Sequence, residues 1–285
     1  MSARATEVAI GGRFEFGKNW AWFLQTLSDE KIDEAIASLQ QMLEMQSLAG
    51  KRFLDAGSGS GLFSLAARRM GASVHSFDYD PHSVACTAEL KRRYFPSDGL
   101  WTVESGSVLD AQYLQSLGQF DVVYSWGVLH HTGDMWTGLA NVAPLVSRGG
   151  KLFIAIYNDQ GTASRRWTKV KRRYNELPRG LRFLVICPSF VVMYWRRLMK
   201  DLLRGKPFQT IREYGRNQRG MSFWQDLIDW VGGYPFEVAK PEQIFDFYRQ
   251  RGFSLMRLTT ACGSPGCNEF VFAKPASSET WNTKL

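Results

Sequence analysis

The sequence predicts a doubly wound α/β fold, with a mostly parallel seven-stranded sheet and a helical insertion after the fifth strand. Three observations predict this class. Short apolar segments alternate with helical segments through residues 51–157, which is typical of parallel sheets flanked by helices. A glycine-rich loop directly follows the first apolar segment. The alternation stops at residue 158 and resumes near residue 240.

Residues 1–50 are predicted to form a lead-in that is helical within Phe14–Leu48. Ser28 precedes two acidic residues, as helix N-cap residues often do, and apolar side chains then recur at helical spacing: Ile32, Ile36, Leu39 and Leu43. Four aromatic side chains come before this helix: Phe14, Phe16, Trp20 and Trp22. We expect them to form a lid over a ligand site, with ordinary core packing as the alternative.

Residues 51–157 hold the core of the predicted sheet. Strands are expected over Arg52–Ala56, Ser73–Phe77, Trp101–Ser105, Phe120–Trp126 and Lys151–Tyr157. Helices are expected over Leu62–Met70, Pro81–Tyr94 and Met135–Val146. Asp80 is the expected cap of the second helix, and Pro144 should end or kink the third. Residues 240–285 complete the core with a helix (Pro241–Arg251), two antiparallel strands (Phe253–Thr259 and Asn268–Ala273) and a tail.

The loop after the first strand has features of a cofactor site. Gly57, Gly59 and Gly61 permit a tight turn and a close approach of the backbone to a ligand. Their GxGxG spacing differs from the GxGxxG spacing of dinucleotide-binding loops. Asp55 beside the loop would repel a pyrophosphate, whereas it suits a cationic ligand. Asp78 ends the second strand, where a carboxylate can bind the hydroxyls of a ribose.

Five motifs in this order resemble those of class I S-adenosylmethionine (SAM) dependent methyltransferases: LDAGSGSG, FDYD, SGSVLD, FDVVYSWGVLHH and GGKLFIAIY. The resemblance is closest to the group related to ubiquinone and menaquinone biosynthesis methyltransferases. It covers residues 51–157 and the terminal strand pair. It implies a Rossmann-like sheet with a terminal antiparallel hairpin, SAM as the cofactor and S-adenosylhomocysteine as the product.

The resemblance also implies which residues bind SAM. The methionine end matches Asp55, Gly57, Ser58 and Gly59; the ribose and adenine edge matches Asp78 and Tyr79; the segment beside adenine matches Ser107, Val108 and Leu109; and the wall near the reactive methyl group matches Ser125 and Trp126. Many relatives carry an acid where Ser107 stands, so Asp110 is a candidate substitute for the adenine contact.

Candidate catalytic residues follow the fourth and fifth strands, at the edge where ligands bind in open α/β sheets. Methyl transfer is a displacement at an activated sulfonium, and a hydroxyl nucleophile benefits from a base. His130 and His131 are the candidate bases, with His131 favoured; the alternative is that a loop histidine only bonds to backbone. Tyr157 and Asn158 are expected to face the same site. Carbon and oxygen acceptors both stay open, and no metal site is predicted.

Positive charge is concentrated in residues 158–239, which we expect to form a substrate cap. This segment contains 16 Lys and Arg against 7 Asp and Glu, whereas the rest of the chain contains 19 against 20. Five residues are predicted to hold an anionic acceptor, with one of two helix faces turned inward: Arg165, Arg166, Lys169, Arg172 and Arg173. Phe183–Trp195 would house an apolar tail. The alternatives are a solvated cationic surface and a helix lying on anionic lipid.

These features together predict a methyltransferase for a small amphipathic, anionic molecule, such as a prenyl diphosphate, a quinone precursor or a lipid-linked sugar. An RNA methyltransferase and a non-catalytic SAM-binding protein are the alternatives; nucleic acid is disfavoured because the charge is mixed with a long apolar run. The N-terminus lacks the apolar run of a signal peptide, so a cytoplasmic protein is expected, with peripheral membrane contact and oligomeric state left open.

Overall fold

A computed structural model of the chain describes residues 12–17, 24, 26–213, 223–264 and 266–276. Its sheet consists of β1 (Arg52–Ala56), β2 (Ser73–Asp78), β3 (Trp101–Ser105), β4 (Phe120–Trp126), β5 (Val146–Tyr157), β6 (Ser254–Thr259) and β7 (Cys267–Ala273). The strand order is β3-β2-β1-β4-β5-β7-β6, and only β7 runs antiparallel to its neighbours. The predicted fold class is confirmed.

Helices cover both faces of this sheet. They are α1 (Asp29–Leu43), α2 (Leu62–Arg69), α3 (Pro81–Tyr94), α4 (Ala111–Ser116), α5 (Met135–Val142), α6 (Thr162–Glu176), α7 (Phe183–Leu203), α8 (Gln209–Arg212), α9 (Phe223–Gly232) and α10 (Pro241–Arg249). Successive residues of β1 point to opposite faces: Phe53 packs in the core with α1 and α2, and Leu54 in the core with α5 and α10. A strand buried on both faces carries apolar side chains at consecutive positions, which is why Phe53 and Leu54 do not show strand-like alternation.

Several expected element boundaries are wrong. Among the described lead-in residues, Gly17 and α1 are helical, whereas residues 14–16 are not. Helix α4 between β3 and β4 was not predicted, because six residues are too few to show a recognisable helical repeat of apolar side chains. Pro144 lies in a 3₁₀ turn that ends α5 early, so Val146 opens β5.

The helices α6 to α9 lie at the carboxyl edge of the sheet. Asn158 and Ala239, the two ends of this segment, pair as an isolated parallel bridge directly beyond β5. Tyr174 and Tyr194 pack with Phe223 and Leu227 in a separate core that also contains Phe14. The segment is therefore helical and placed beside the predicted site, as a cap would be, while the exact domain limits stay predictions.

Gly61 offers a test of how the glycine loop is fixed to the sheet. It caps α2 with a φ of +81°, and a Cβ there would lie 2.9 Å from the Thr87 backbone. Gly50 has a similar φ of +72° with open space around it. Gly50→Ala should therefore destabilise the protein by about 1–2 kcal/mol, the cost of a left-handed residue. Gly61→Ala should cost about 1–3 kcal/mol more, because helix α3 must shift. Urea unfolding measures both, and equal losses would contradict this packing.

Candidate active site

The glycine loop turns sharply away from β1 and is held by backbone hydrogen bonds to the end of β2. The amides of Gly57 and Ser58 both donate to Phe77 O, at 2.9 and 3.0 Å. Gly57 has a φ of +90°, and a Cβ there would lie 2.4 Å from Val128 Cγ1. Only glycine fits this contact, which packs the loop directly against the segment that follows β4. The Ser58 hydroxyl lies 2.9 Å from the Thr87 hydroxyl, so its side chain fixes the loop to α3.

Asp78 and Asp80 divide two tasks at the end of β2. The Asp78 carboxylate accepts from Gly59 N at 2.9 Å and from Asp80 N at 2.8 Å, which aims it at the loop. Asp80 instead accepts from His82 N at 2.9 Å, which confirms its predicted role as the cap of α3. Its second oxygen accepts from Gly17 N, also at 2.9 Å.

The Asp55 side chain lies behind the loop, in contrast to the expected contact with a cofactor. Ser64 Oγ donates to its carboxylate at 2.5 Å and lies 2.7 Å from Ser76 Oγ, which accepts from Trp101 Nε1 at 2.9 Å. Asp55 is buried, and burial raises its pKa to about 7, a rise that the Ser64 bond opposes and Asp78 reinforces. Its role here is to join β1 to α2 and β2, which supports the loop from within.

The side chains of two further residues predicted to contact the cofactor form hydrogen bonds within the sheet. The Ser125 hydroxyl donates to Ala56 O at 2.8 Å and is fully buried, because it joins β4 to β1. The Trp126 indole donates to Glu269 Oε1 at 2.9 Å and so turns toward β7. Both residues stand at the expected strand end, which their apolar pattern located, but that pattern does not specify the hydrogen-bond partners.

The loop after β3 lies at the same edge. Ser107 Oγ accepts from Leu109 N at 3.2 Å, and Val108, which is buried, accepts through its carbonyl from Asn141 Nδ2 at 3.0 Å. Asp110 was a candidate for the adenine contact. Its carboxylate instead caps α4 by accepting from Tyr113 N at 3.0 Å. These hydrogen bonds fix the backbone of residues 107–109, which is the part of the loop that a ligand could contact.

The two histidines differ in their hydrogen bonds. His130 Nδ1 accepts from Tyr157 N at 3.4 Å, so this ring is bound to the end of β5. His131 Nδ1 lies 2.6 Å from Pro235 O. Because a carbonyl only accepts, Nδ1 carries the proton and Nε2 keeps its lone pair. Within the part of the chain that the structure describes, the hydrogen bond of the His131 side chain is the one made by Nδ1.

Burial keeps both imidazoles neutral. It lowers the pKa of His131 to about 3, although the Pro235 bond acts in the opposite direction. It lowers the pKa of His130 well below the ordinary value, and the nearby charge of Lys171 adds to this effect. His131 is therefore a neutral hydrogen-bond acceptor through Nε2. His130 has the structural role that the alternative interpretation gave to a loop histidine.

Tyr157 lies between the histidines and the cap. Its ring centroid is 4.1 Å from that of His130, 5.4 Å from that of His131 and 5.1 Å from that of Phe236. Burial raises the pKa of Tyr157 well above its ordinary value. The phenol therefore stays protonated, so Tyr157 can donate a hydrogen bond but cannot act as a base.

Segments from both ends of the chain hold the histidine loop in place. Glu237 accepts from Gly133 N and Met135 N at 3.0 and 3.1 Å, and its own amide donates to His130 O at 2.9 Å. Arg13 donates to the carbonyls of His131 and Thr132 at 2.9 and 3.1 Å. The His131 loop is thus fixed both to the cap and to residues 12–17.

The described part of the expected lid spans from the cap to the cofactor edge. Phe14 N donates to Tyr234 O at 2.8 Å, and the Phe16 ring lies 4.8 Å from the His131 ring. The Arg13 guanidinium lies 5.1 Å from the ring centre of Tyr79, which is partly exposed. Trp20 and Trp22 lie outside the described residues. The lid stays a prediction, supported here by Phe16 on His131.

The prediction that Arg165, Lys169 and Arg172, or Arg166 and Arg173, turn inward is wrong. All five side chains are exposed on α6, and Arg172 and Arg173 both pair with Glu176. The inward face of α6 is formed by Ser164, Lys171, Tyr174 and Asn175. Lys and Arg side chains usually keep their charged ends in solvent. The number of charges on α6 therefore did not indicate that Lys171 lies on the inward face.

Lys171 is the site residue that sequence reasoning missed. It is fully buried, its ammonium donates to Trp230 O, and it lies 4.2 Å from the Trp230 ring centre and 4.7 Å from that of Phe236. Burial lowers its pKa to about 7, although Asp229 opposes this. The i, i+4, i+7 spacing of Trp167, Lys171 and Tyr174 was the signal that places it on the inward stripe.

A small pocket opens between the cap and the end of β5. Its lining consists of Tyr157, Asn158, Gln160, Ser164, Trp167, Trp230, Phe236 and Gly266. Asn158 is half-buried there, and its side-chain oxygen accepts from Asn268 Nδ2 at 3.2 Å. The pocket brings the predicted pair Tyr157 and Asn158 together with Trp167 of α6 and Trp230 of α9.

Two properties of the described residues complete this picture. None of their His, Cys, Asp and Glu side chains form a group of three or more that could hold a metal ion. No helix in the described ranges is both long enough and apolar enough to cross a bilayer.

Comparison with known proteins identifies the central part of the chain. Residues 54–152 match the family model described as a methyltransferase domain. Residues 54–152 form a methyltransferase domain. This stretch begins within β1 and ends within β5, so it contains the glycine loop, Asp78, His130 and His131. The predicted resemblance to methyltransferases is confirmed.

Curated relatives of this domain include the ubiquinone biosynthesis O-methyltransferase of Xanthomonas euvesicatoria pv. vesicatoria. It is 34% identical over 118 residues, which is 39% of this chain and 45% of that protein. The chain thus spans about half the length of the curated relatives it matches. The cap lies outside the residues that match the family model.

Two solved structures are similar to the methyltransferase domain and its surroundings. The 4+2 cyclase SpnF has a TM-score of 0.53 at 11% identity, covering 86% of this chain and 81% of its own, and it supports the fold. The magnesium protoporphyrin IX methyltransferase of Synechocystis PCC 6803, solved with bound SAH, has a TM-score of 0.49 at 16% identity, covering 86% of this chain and 82% of its own.

The buried Lys171 predicts a specific dependence of stability on pH. Folding lowers its pKa from 10.5 to about 7, so between these values the unfolded chain binds more protons and stability falls as pH falls. Lys171→Met removes this proton uptake. Its stability relative to wild type should rise by up to about 1.4 kcal/mol per pH unit as pH decreases from 10 to 7. Chemical unfolding at several pH values measures this.

Lys169→Met, which changes an exposed side chain of the same helix, should show no such trend. Parallel curves for both variants would contradict the burial of a charge at position 171.

Proposed function

We propose that this protein transfers a methyl group from SAM to a hydroxyl oxygen of a small amphipathic acceptor of the quinone-precursor type. The observation that carries the proposal is His131. Its Nε2 is a neutral hydrogen-bond acceptor at the carboxyl edge of the sheet, beside a glycine loop of methyltransferase type.

The cofactor assignment rests on the glycine loop and the acid after β2. SAM would lie along the carboxyl ends of β1 and β2, with its ribose hydroxyls donating to Asp78 and its adenine between Tyr79 and residues 107–109. The amides of Gly57 and Ser58 are already bound to Phe77 O. Gly59 has no side chain that would block the methionine end from the loop, and the structural role of Asp55 keeps that backbone in position. SAM supplies an activated methyl group on a sulfonium, so the chain itself has to align the acceptor and accept a proton.

The reaction needs only a weak base. A lone pair of the acceptor hydroxyl attacks the methyl carbon, the carbon–sulfur bond breaks, and the sulfur keeps the electron pair as S-adenosylhomocysteine. As the new oxygen–carbon bond forms, the hydroxyl proton becomes strongly acidic. His131 Nε2 can then accept it although its pKa is low, and the Pro235 bond to Nδ1 stabilises the imidazolium that results.

The acceptor class rests on the cap and on the names of the relatives. The pocket beside Tyr157 is lined by aromatic rings, and Lys171 places one buried cation next to them. An aromatic or prenylated molecule with a hydroxyl and an acidic group suits this combination. The curated relatives are named O-methyltransferases, which favours oxygen over carbon as the acceptor atom. The exposed cations of α6 would at most attract an anionic acceptor from solution.

His131→Asn is the direct test of this function. With labelled SAM and a panel of phenolic quinone precursors and prenyl diphosphates, the wild type should methylate a phenol. The variant should lower kcat by roughly a hundredfold or more, because it removes the proton acceptor, while SAM binding stays unchanged.

His75→Asn, which changes a histidine bonded to Glu104 within the sheet, is the matched control and should retain kcat. An unchanged kcat in His131→Asn would exclude His131 as the base. Methylation of RNA with no turnover of any small acceptor would overturn the proposed substrate class.

A further inference from the structure

One face of helix α7 is apolar and exposed to solvent. Its large side chains are 47–82% exposed, and their helical spacing places them on one side of the helix: Leu184, Val191, Val192, Trp195, Met199, Leu202 and Leu203. Phe208, just beyond the helix, extends the stripe and is 57% exposed. We call these eight residues the outer stripe. An exposed apolar surface of this extent on a folded protein usually marks a contact with a partner or a membrane.

The outer stripe is not required by the core of the cap. The opposite face of α7 provides that packing: Tyr194 is buried, and its ring lies 4.8 Å from the Phe223 ring. Phe190 packs on the same side, with its ring 5.9 Å from that of Phe223. The helix is thus apolar on two faces, and only one of them is used within the described fold.

Positive charge borders the outer stripe along one side. Arg196, Lys200 and Arg204 are all exposed and follow one another at helical spacing beside Trp195, Met199 and Leu203. Residues 179–212 contain a single acid, Asp201, which is buried and accepts from Thr210 N at 2.7 Å. The exposed charged side chains of residues 179–212 are therefore all cations.

We propose that the outer stripe is a docking surface for a membrane that contains anionic lipids. An amphipathic helix with aromatic and aliphatic side chains on one face and Lys or Arg beside it lies in the interface between headgroups and acyl chains. Anionic headgroups complement the bordering cations. A second copy of this chain fits less well, because a twofold contact across the stripe would bring the same cations toward one another.

This inference is independent of the methyltransferase reaction, since it rests on α7 alone. It places the cap on the side of the molecule that meets lipid. The mode of contact is peripheral, because α7 packs against the cap along its whole inner face.

Flotation with lipid vesicles tests the proposal. The full chain should float with vesicles of phosphatidylcholine that contain about a third phosphatidylglycerol, and much less with phosphatidylcholine alone. Three substitutions in the outer stripe should lower the partition coefficient at least about tenfold, because they remove apolar surface from the contact: Val192→Ser, Trp195→Ser and Leu203→Ser. Three substitutions at equally exposed apolar sites elsewhere should leave it unchanged: Leu100→Ser, Met256→Ser and Leu258→Ser.

A second variant separates charge from apolar contact. Combined substitution of Arg196, Lys200 and Arg204 by Gln should remove the preference for phosphatidylglycerol and the sensitivity of binding to salt. In wild type, acyl-chain brominated lipids should quench tryptophan fluorescence, and Trp195→Phe should remove most of that quenching.

Three results would overturn the proposal. One is vesicle binding that the outer-stripe variant retains. Another is no binding of wild type to either vesicle. The last is a concentration-dependent dimer, in the absence of lipid, that the outer-stripe variant abolishes, since the stripe would then be an interface between copies of this chain. Circular dichroism of each variant distinguishes lost docking from lost folding. Each of these outcomes can occur with methyl transfer intact.

Discussion

The close packing of Gly57 against Val128 is the constraint on which the site depends. The glycine loop and the histidine loop come from different strands, and this contact leaves no room for a side chain between them. It brings the proposed position of the SAM methyl group next to His131, three residues after Val128. Because β1 and β4 are adjacent and parallel, the sheet itself delivers both loops to one edge.

A second layer of contacts turns this edge into an enclosed site. Glu237 and Arg13 bind the histidine loop from the cap and from residues 12–17, and the Pro235 carbonyl selects the His131 tautomer. The burial that these contacts produce also keeps His131 neutral. The contacts that enclose the site therefore also set the protonation state of His131. The glycine loop and the histidine loop would have to separate to admit SAM and the acceptor.

The sequence predicted the sheet and the edge that holds the site, because apolar periodicity and glycine spacing are local signals. It also distinguished Asp80 as a helix cap from Asp78, since Pro81 marks the start of α3. The directions of Asp55 and Ser125 depend on hydrogen-bond partners in distant strands, which no local pattern specifies. Lys171 was missed for a related reason. The sequence shows that α6 is rich in Lys and Arg, but the burial of Lys171 depends on the packing of α9 against α6, which is not a local feature. The exposure of α7 likewise follows from which of its two apolar faces the cap uses.

Titration calorimetry of SAM against Asp78→Ala tests the central claim, that SAM binds at the glycine loop and Asp78. Asp121→Ala is the matched control, because Asp121 binds Arg52 N at the opposite edge of the sheet. The wild type and Asp121→Ala should bind SAM with equal Kd, and Asp78→Ala should bind at least about tenfold more weakly, a loss of about 1.4 kcal/mol. Equal Kd values in all three proteins, or no binding by wild type, would contradict the account.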